Sequence, residues 1–189
     1  MLISTKRIKF RWIALSSLVI ILMIIGIILI ESGFSYKFNN STKIPEPNSE
    51  IKAVVNVALD QDRQTNRWTE DIKNLCNISN NIVSDRLSYS LKHSCYDPNQ
   101  AWKIRNVNCT GYAAVQVSIL NYMFKTLGMK EYHAEWHSGT VYFLGMLMPA
   151  PLRSHCYTVV YGPNGTSFLP DACFKDLVYD GWIVNKENK

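Results

Sequence analysis

The chain has 189 residues, five cysteines and a formal net charge of +5. Four of its twenty basic residues, Lys6, Arg7, Lys9 and Arg11, stand in the first eleven positions, and sixteen basic against fifteen acidic residues remain beyond them. That near-neutral balance, with no block of like charge, excludes a nucleic-acid footprint.

From Trp12 to Ile30 there are 19 residues without a charge. A helix of that length just crosses a hydrocarbon core of about 30 Å. Basic residues before the span and none directly after it put the N-terminus, residues 1–11, in the cytoplasm and residues 31–189 in the periplasm or extracellular space. The stretch Glu31-Ser32-Gly33-Phe34-Ser35 offers no A-x-A-like cleavage site, so the run reads as an uncleaved anchor of a single-pass membrane protein rather than a signal peptide. Residues 31–50, polar with two prolines, read as a stalk. Residues 51–189 are long enough for one domain with its own core.

Five cysteines outside the cytoplasm leave one thiol over. With Cys109 as the working thiol, Cys76–Cys95 is the preferred bridge because it spans a short polar stretch, and Cys156–Cys173 is its companion. Strand parity argues against the second bridge, since Cys173 shares the face of His155 and Cys156 points to the other. No C-x-x-C pair is present. His133 and His137 are spaced like a helical metal pair but lie in strand-like sequence, where that spacing only repeats a face. The expectation is no metal and no cofactor.

Cys109 opens a long helical pattern. Ala113, Val117, Leu120, Phe124 and Leu127 form an apolar stripe, and Val115, Ile119 and Met123 make the opposite side apolar too. This predicts a buried helix with Asn108 as N-cap and Gly128 at its C-terminus. Cys109 then lies in the first turn, where unpaired N–H groups and the positive end of the helix dipole favour thiolate and can bond a developing oxyanion. Gly111 permits close approach there.

After Gly128 the period changes. Glu131–Phe143 and His155–Tyr161 read as strands, with a proline-containing loop over 146–154 between them. Gly162-Pro163-Asn164-Gly165 is turn chemistry, and Thr166–Ala172 returns as the hairpin partner. Pairing Tyr161 with Thr166 puts His155 opposite Ala172, and a shift of one residue puts it opposite Asp171. Asp171 is then placed to hold one imidazole nitrogen of His155 while the other faces the Cys109 thiol. His133 and His137 are weaker candidates for the base, and His93 reads as a surface residue. Trp102, seven residues before Cys109, and Asn108 are candidates for the cleft and the oxyanion site.

These residues carry a resemblance. The segment Asn108-Cys109-Thr110-Gly111-Tyr112-Ala113-Ala114-Val115 resembles the nucleophile motif of the transglutaminase-like superfamily, and Phe124-Lys125-Thr126-Leu127-Gly128-Met129 resembles the usual end of its helix. His155 with Tyr157, and Leu169-Pro170-Asp171, resemble its base and acid motifs. The chain looks most like the bacterial transglutaminase-like cysteine proteinases, over roughly residues 51–175. The resemblance implies an α+β fold with a papain/transglutaminase-like core, in which a buried Cys-bearing helix packs on an antiparallel sheet and residues 51–75 form a helical prelude. It also implies a Cys109, His155, Asp171 triad acting on a protein or peptide substrate outside the cytoplasm. Hydrolysis is expected over cross-linking, because nothing resembles the acidic calcium loops or extra domains of the large cross-linking enzymes. A catalytically inactive scaffold or binding module at the membrane is the alternative. Transfer to a small arylamine is a third and weaker one, since those enzymes are larger.

Overall fold

The structure is a computed structural model and describes residues 34–64, 71–143, 146–147, 153–173 and 182–183. Four short polar residues start its four described helices, each turning a side-chain oxygen onto an otherwise unpaired N–H. Asn48 accepts from Ile51 at 3.0 Å to open α1, Ser49–Gln64. Asp71 accepts from Lys73 at 3.0 Å to open α2, Ile72–Arg86. Asp97 accepts from Asn99 at 2.9 Å, with Pro98 in the first turn, to open α3, Pro98–Ile104. Asn108 accepts from Thr110 at 3.1 Å to open α4, Cys109–Leu127, and Gly128 closes that helix in the left-handed conformation at φ 71°. Both caps of α4 are those the sequence predicts.

The central helix α4 is buried along most of its length, from Thr110 to Leu120 and again at Met123 and Phe124. Helix α1 lays Ile51, Val55 and Leu59 on the same core, one residue per turn along one face. Helix α2 adds Leu75, Cys76, Ile82 and Val83.

The other layer is an antiparallel sheet. It consists of β1 (Phe34–Thr42), β4 (His133–Phe143), β5 (Met146–Leu147), β6 (Ser154–Tyr161), β7 (Ser167–Pro170) and β8 (Trp182–Ile183), in the order β1-β4-β6-β7-β8 with β5 also on β4. Period-two alternation divides its faces. Ala134, Trp136 and Val160 join the helical core, whereas Val141, Tyr157, Val159 and Leu169 form a smaller cluster on the far side. A short parallel ribbon of β2 (Ser88–Tyr89) and β3 (Asn106–Val107) leads directly into α4. This is an α+β architecture with a buried Cys-bearing helix on an antiparallel sheet.

Four expectations change. Phe34–Thr42, assigned to the stalk, pairs with Trp136–Phe143 as the edge strand β1. An edge strand needs only one partner and little apolar alternation, so its sequence resembles a polar linker. The loop assigned to 146–154 contains the two-residue strand β5 and the first residue of β6. In the hairpin, Tyr161 pairs with Ser167 rather than Thr166, a shift away from the register that would pair His155 with Asp171. No disulfide joins any of the five cysteines, so neither Cys76–Cys95 nor Cys156–Cys173 is bridged. Cys76 is buried in α2, and Cys95 directs its thiol at the Asp97 carbonyl, 3.3 Å away. The apolar run at 12–30 lies outside the described residues. Among those described, no helix is long and apolar enough to cross a membrane.

Candidate functional site

Cys109 is half-buried at the start of α4. The Gly111 and Tyr112 N–H groups turn back on the Asn108 carbonyl at 3.0 and 3.2 Å, and the Thr110 N–H bonds the Asn108 side chain. None of these bonds uses the N–H of Cys109 itself. Gly111 fits tightly against β3: a Cβ there would lie 2.7 Å from Val107 Cβ. The close approach predicted at Gly111 is therefore to Val107. It presses the first turn onto the β2–β3 ribbon. From the sheet side, Trp136 Nε1 donates to the Thr110 carbonyl at 3.3 Å, and Thr158 Oγ1 donates to the Ala113 carbonyl at 3.5 Å. The helix mouth is thus held from two directions.

His155 stands near the start of β6, stacked on Tyr157 with ring centroids 6.5 Å apart. Strand β7 pairs with β6 only at Val160 and Tyr161, so His155 lies beyond the paired part of the hairpin. Pro170 ends β7, and Asp171 reaches His155 from the segment that follows. Asp171 Oδ2 lies 2.7 Å from His155 Nε2, and the carboxylate is buried at 3% exposure. The sequence predicts this partnership through a ladder pair; the fold makes it through a strand end. The Cys109 sulfur bonds the same ring.

The electrostatics follow from these contacts. The Cys109 thiol is lowered to about 4, first by the bond from the Cys156 thiol. Burial opposes that, and the bond and charge of His155 and the backbone N–H of Cys156 add to it. Burial would lower His155, but the charge and bond of Asp171, with those of Cys109, push it up to about 10. The Cys156 thiol is pushed well up because it donates to Cys109 and is itself buried. Both shifts favour a thiolate on Cys109 and a proton on His155, with Asp171 behind the ring.

Cys156 is a participant that the sequence reading missed. It sits on the α4 face of β6, with Sγ 3.4 Å from Thr110 Oγ1, and its neighbour His155 belongs to the same site. Tyr89 is a second. Its phenol is pushed up to about 12 by burial and then by the charges of Cys109, Cys173 and Cys156. Gln116 is a third. It donates to Asn80 and Ser79 on α2 and accepts from the Ala172 N–H at 3.4 Å, tying the residue after Asp171 to the central helix. The only sequence signal for Gln116 was a polar residue inside an apolar helix.

Other candidates lie elsewhere. Trp102 is buried, donates its indole N–H to Glu50 at 2.9 Å and carries Arg86 over its ring, so that donor is not available to an oxyanion. Asn108 uses its side-chain oxygen on the cap, and its own N–H donates to the His93 carbonyl at 2.9 Å. His133 and His137 lie on the far face of the sheet with Glu135 between them, at 3.4 and 3.1 Å. Glu135 is an acid partner for both, but it sits on the far side from Cys109. An open cleft of about 530 Å³ borders the thiol cluster, lined by Thr42, Tyr96, Thr110, Trp136, Ser138, Ser154 and Cys156. Compared with protein families, with curated proteins and with solved structures, this chain finds no match.

Proposed function

We propose that the chain is a membrane-anchored thiol acyl-transfer enzyme of the transglutaminase-like cysteine proteinase kind, hydrolysing peptide or side-chain amide bonds outside the cytoplasm. The observation that carries this reading is the continuous chain of contacts from Asp171 Oδ2 through the His155 ring, at 2.7 Å, to the sulfur of Cys109. Each residue then has a role set by its chemistry. Cys109 Sγ attacks the amide carbonyl carbon, and the oxyanion is met by the N–H of Cys109 at the positive end of α4. The His155 imidazolium gives a proton to the leaving nitrogen, the C–N bond breaks and a thioester remains. Water attacks the thioester while His155 takes its proton, and the thiolate leaves. Asp171 holds the ring and stabilises its charged form. The cleft beside Cys156 and Thr110, with exposed Tyr96 and Ser154 at its rim, gives a peptide and the attacking water a path to the sulfur.

The test compares wild type with Cys109→Ala under iodoacetamide at pH 5, where an ordinary thiol is almost wholly protonated. Wild type should be labelled at Cys109 roughly a hundredfold faster than any site in the variant. It should also be acylated once by an activated ester and then deacylate in water. Equal labelling of the two proteins would eliminate Cys109 as the reactive site. Labelling without any acylation would point to the non-catalytic module.

A further inference from the structure

Three cysteines gather around one histidine, and the proposed hydrolysis needs only one of them. Cys173 is the least explained. Its side chain is 1% exposed, two residues beyond Asp171, on a segment held by the bond from the Ala172 N–H to Gln116. Its sulfur lies with His155 and Asp171 in a group whose ligand atoms are all within 4.8 Å of one another. We infer that His155, Asp171 and Cys173 form a binding site for a thiophilic divalent cation of the zinc class, which silences the Cys109 thiol when it binds.

The donor set defines the ion. One imidazole nitrogen, one carboxylate oxygen and one thiolate suit zinc and its softer neighbours, whereas magnesium and calcium take oxygen ligands. Zinc bonds these atoms at about 2.0–2.3 Å, so tetrahedral ligands stand about 3.3–3.7 Å apart. His155 Nε2 and Asp171 Oδ2, now 2.7 Å apart, open by roughly 0.6–1 Å to admit the ion, and Cys173, within 4.8 Å of the other two donor atoms, closes by up to roughly 1 Å. Three protein ligands leave a fourth position for water. Binding displaces two protons, the one between His155 Nε2 and Asp171 and the one on the Cys173 sulfur.

The silencing follows from the residues the cation takes, and this part rests on the thiol chemistry proposed above. An ion bonded to both His155 and Asp171 opens the 2.7 Å contact between them and draws the ring out of its place beside Cys109. Cys109 then lacks the ring that the hydrolytic scheme needs. Cys173 touches no reacting atom in the hydrolytic scheme, which allows the two roles to be separated by mutation.

The experiment uses metal-free protein titrated with zinc against a chromophoric chelator, with magnesium and calcium as controls, and with cobalt as a spectroscopic probe. Wild type should bind one zinc and show a thiolate-to-cobalt charge-transfer band. Cys173→Ser should bind zinc more than about tenfold more weakly and lose the band. Asp171→Asn should also weaken binding, and Cys109→Ser should keep both the affinity and the band. Circular dichroism on each variant establishes that it is folded. Wild-type affinity in a folded Cys173→Ser, or loss of binding in Cys109→Ser, would overturn the site, the latter placing the ion on the Cys109–Cys156 pair. Saturating zinc should also slow Cys109 alkylation at pH 5 at least about tenfold. Binding without slowing would overturn the silencing, whereas failure of the hydrolytic reading would appear separately, as absent acylation in metal-free protein.

Discussion

At the scale of single residues, the Cys109–His155 pair couples function to stability through protons. Cys109 drops from an ordinary 9.0 to about 4, and His155 rises from 6.5 to about 10. The Cys109 contribution is therefore complete above pH 9 and lost as pH falls through about 4, while that of His155 is complete below 6.5 and lost as pH rises through about 10. Stability should climb between pH 4 and 6.5, where only Cys109 contributes a slope, and stay level to pH 9, where the two slopes cancel. It should fall above that, where the raised Cys156 and Cys76 thiols act in the same direction as His155. Urea midpoints across this range, for wild type and Cys109→Ala, check the prediction. The variant should lose the acid-side climb due to this pair, and parallel curves would exclude a thiolate–imidazolium pair in the native protein. Cys109, His155 and Asp171 were legible in the sequence because each stands at a recognisable place: a helix mouth, a strand start and a strand end. Cys156 was not, because alternation along β6 assigns it to the face opposite His155, and parity says nothing of what α4 brings to that face.

At the scale of elements, α4 carries the nucleophile and also braces the acid. Gln116 spans from α2 to the Ala172 N–H, and every group in that network is buried. Gln116→Leu leaves the Asn80 carboxamide and the Ala172 N–H without this partner. The expected cost is about 2 kcal/mol in denaturant unfolding. If Gln116 positions Asp171, the variant's alkylation profile should also move to higher pH, because the His155 ring is held less firmly. A stability loss with an unmoved profile would reduce Gln116 to a packing role. The helix itself was readable, with both caps, since capping and periodicity are local. The hairpin register was not, because loop length alone leaves several registers open and tertiary contacts choose among them.

At the scale of the whole molecule, the sheet extends into the segment assigned to the stalk. β1 covers the edge of β4 over Trp136–Phe143. A chain beginning at Lys43 loses that cover, whereas one beginning at Gly33 keeps it. The shorter chain should melt at least about 5 °C lower and associate at raised concentration, because an open strand edge pairs with other chains. Thermal melts and gel filtration of the two chains make the comparison, and identical behaviour would show that β1 adds nothing to the domain. The sequence alone determined the helix at Cys109, its caps, the strand of His155 and the chain order of thiol, ring and acid, because these depend on neighbours a few residues apart. Only the tertiary structure decided that β7 leaves β6 before His155, that Asp171 reaches the ring from beyond Pro170, that the cysteines stay unbridged and that the Cys173 sulfur comes within 4.8 Å of the donor atoms of His155 and Asp171. Those outcomes depend on which distant segments pack together, and burial of the common core selects the packing.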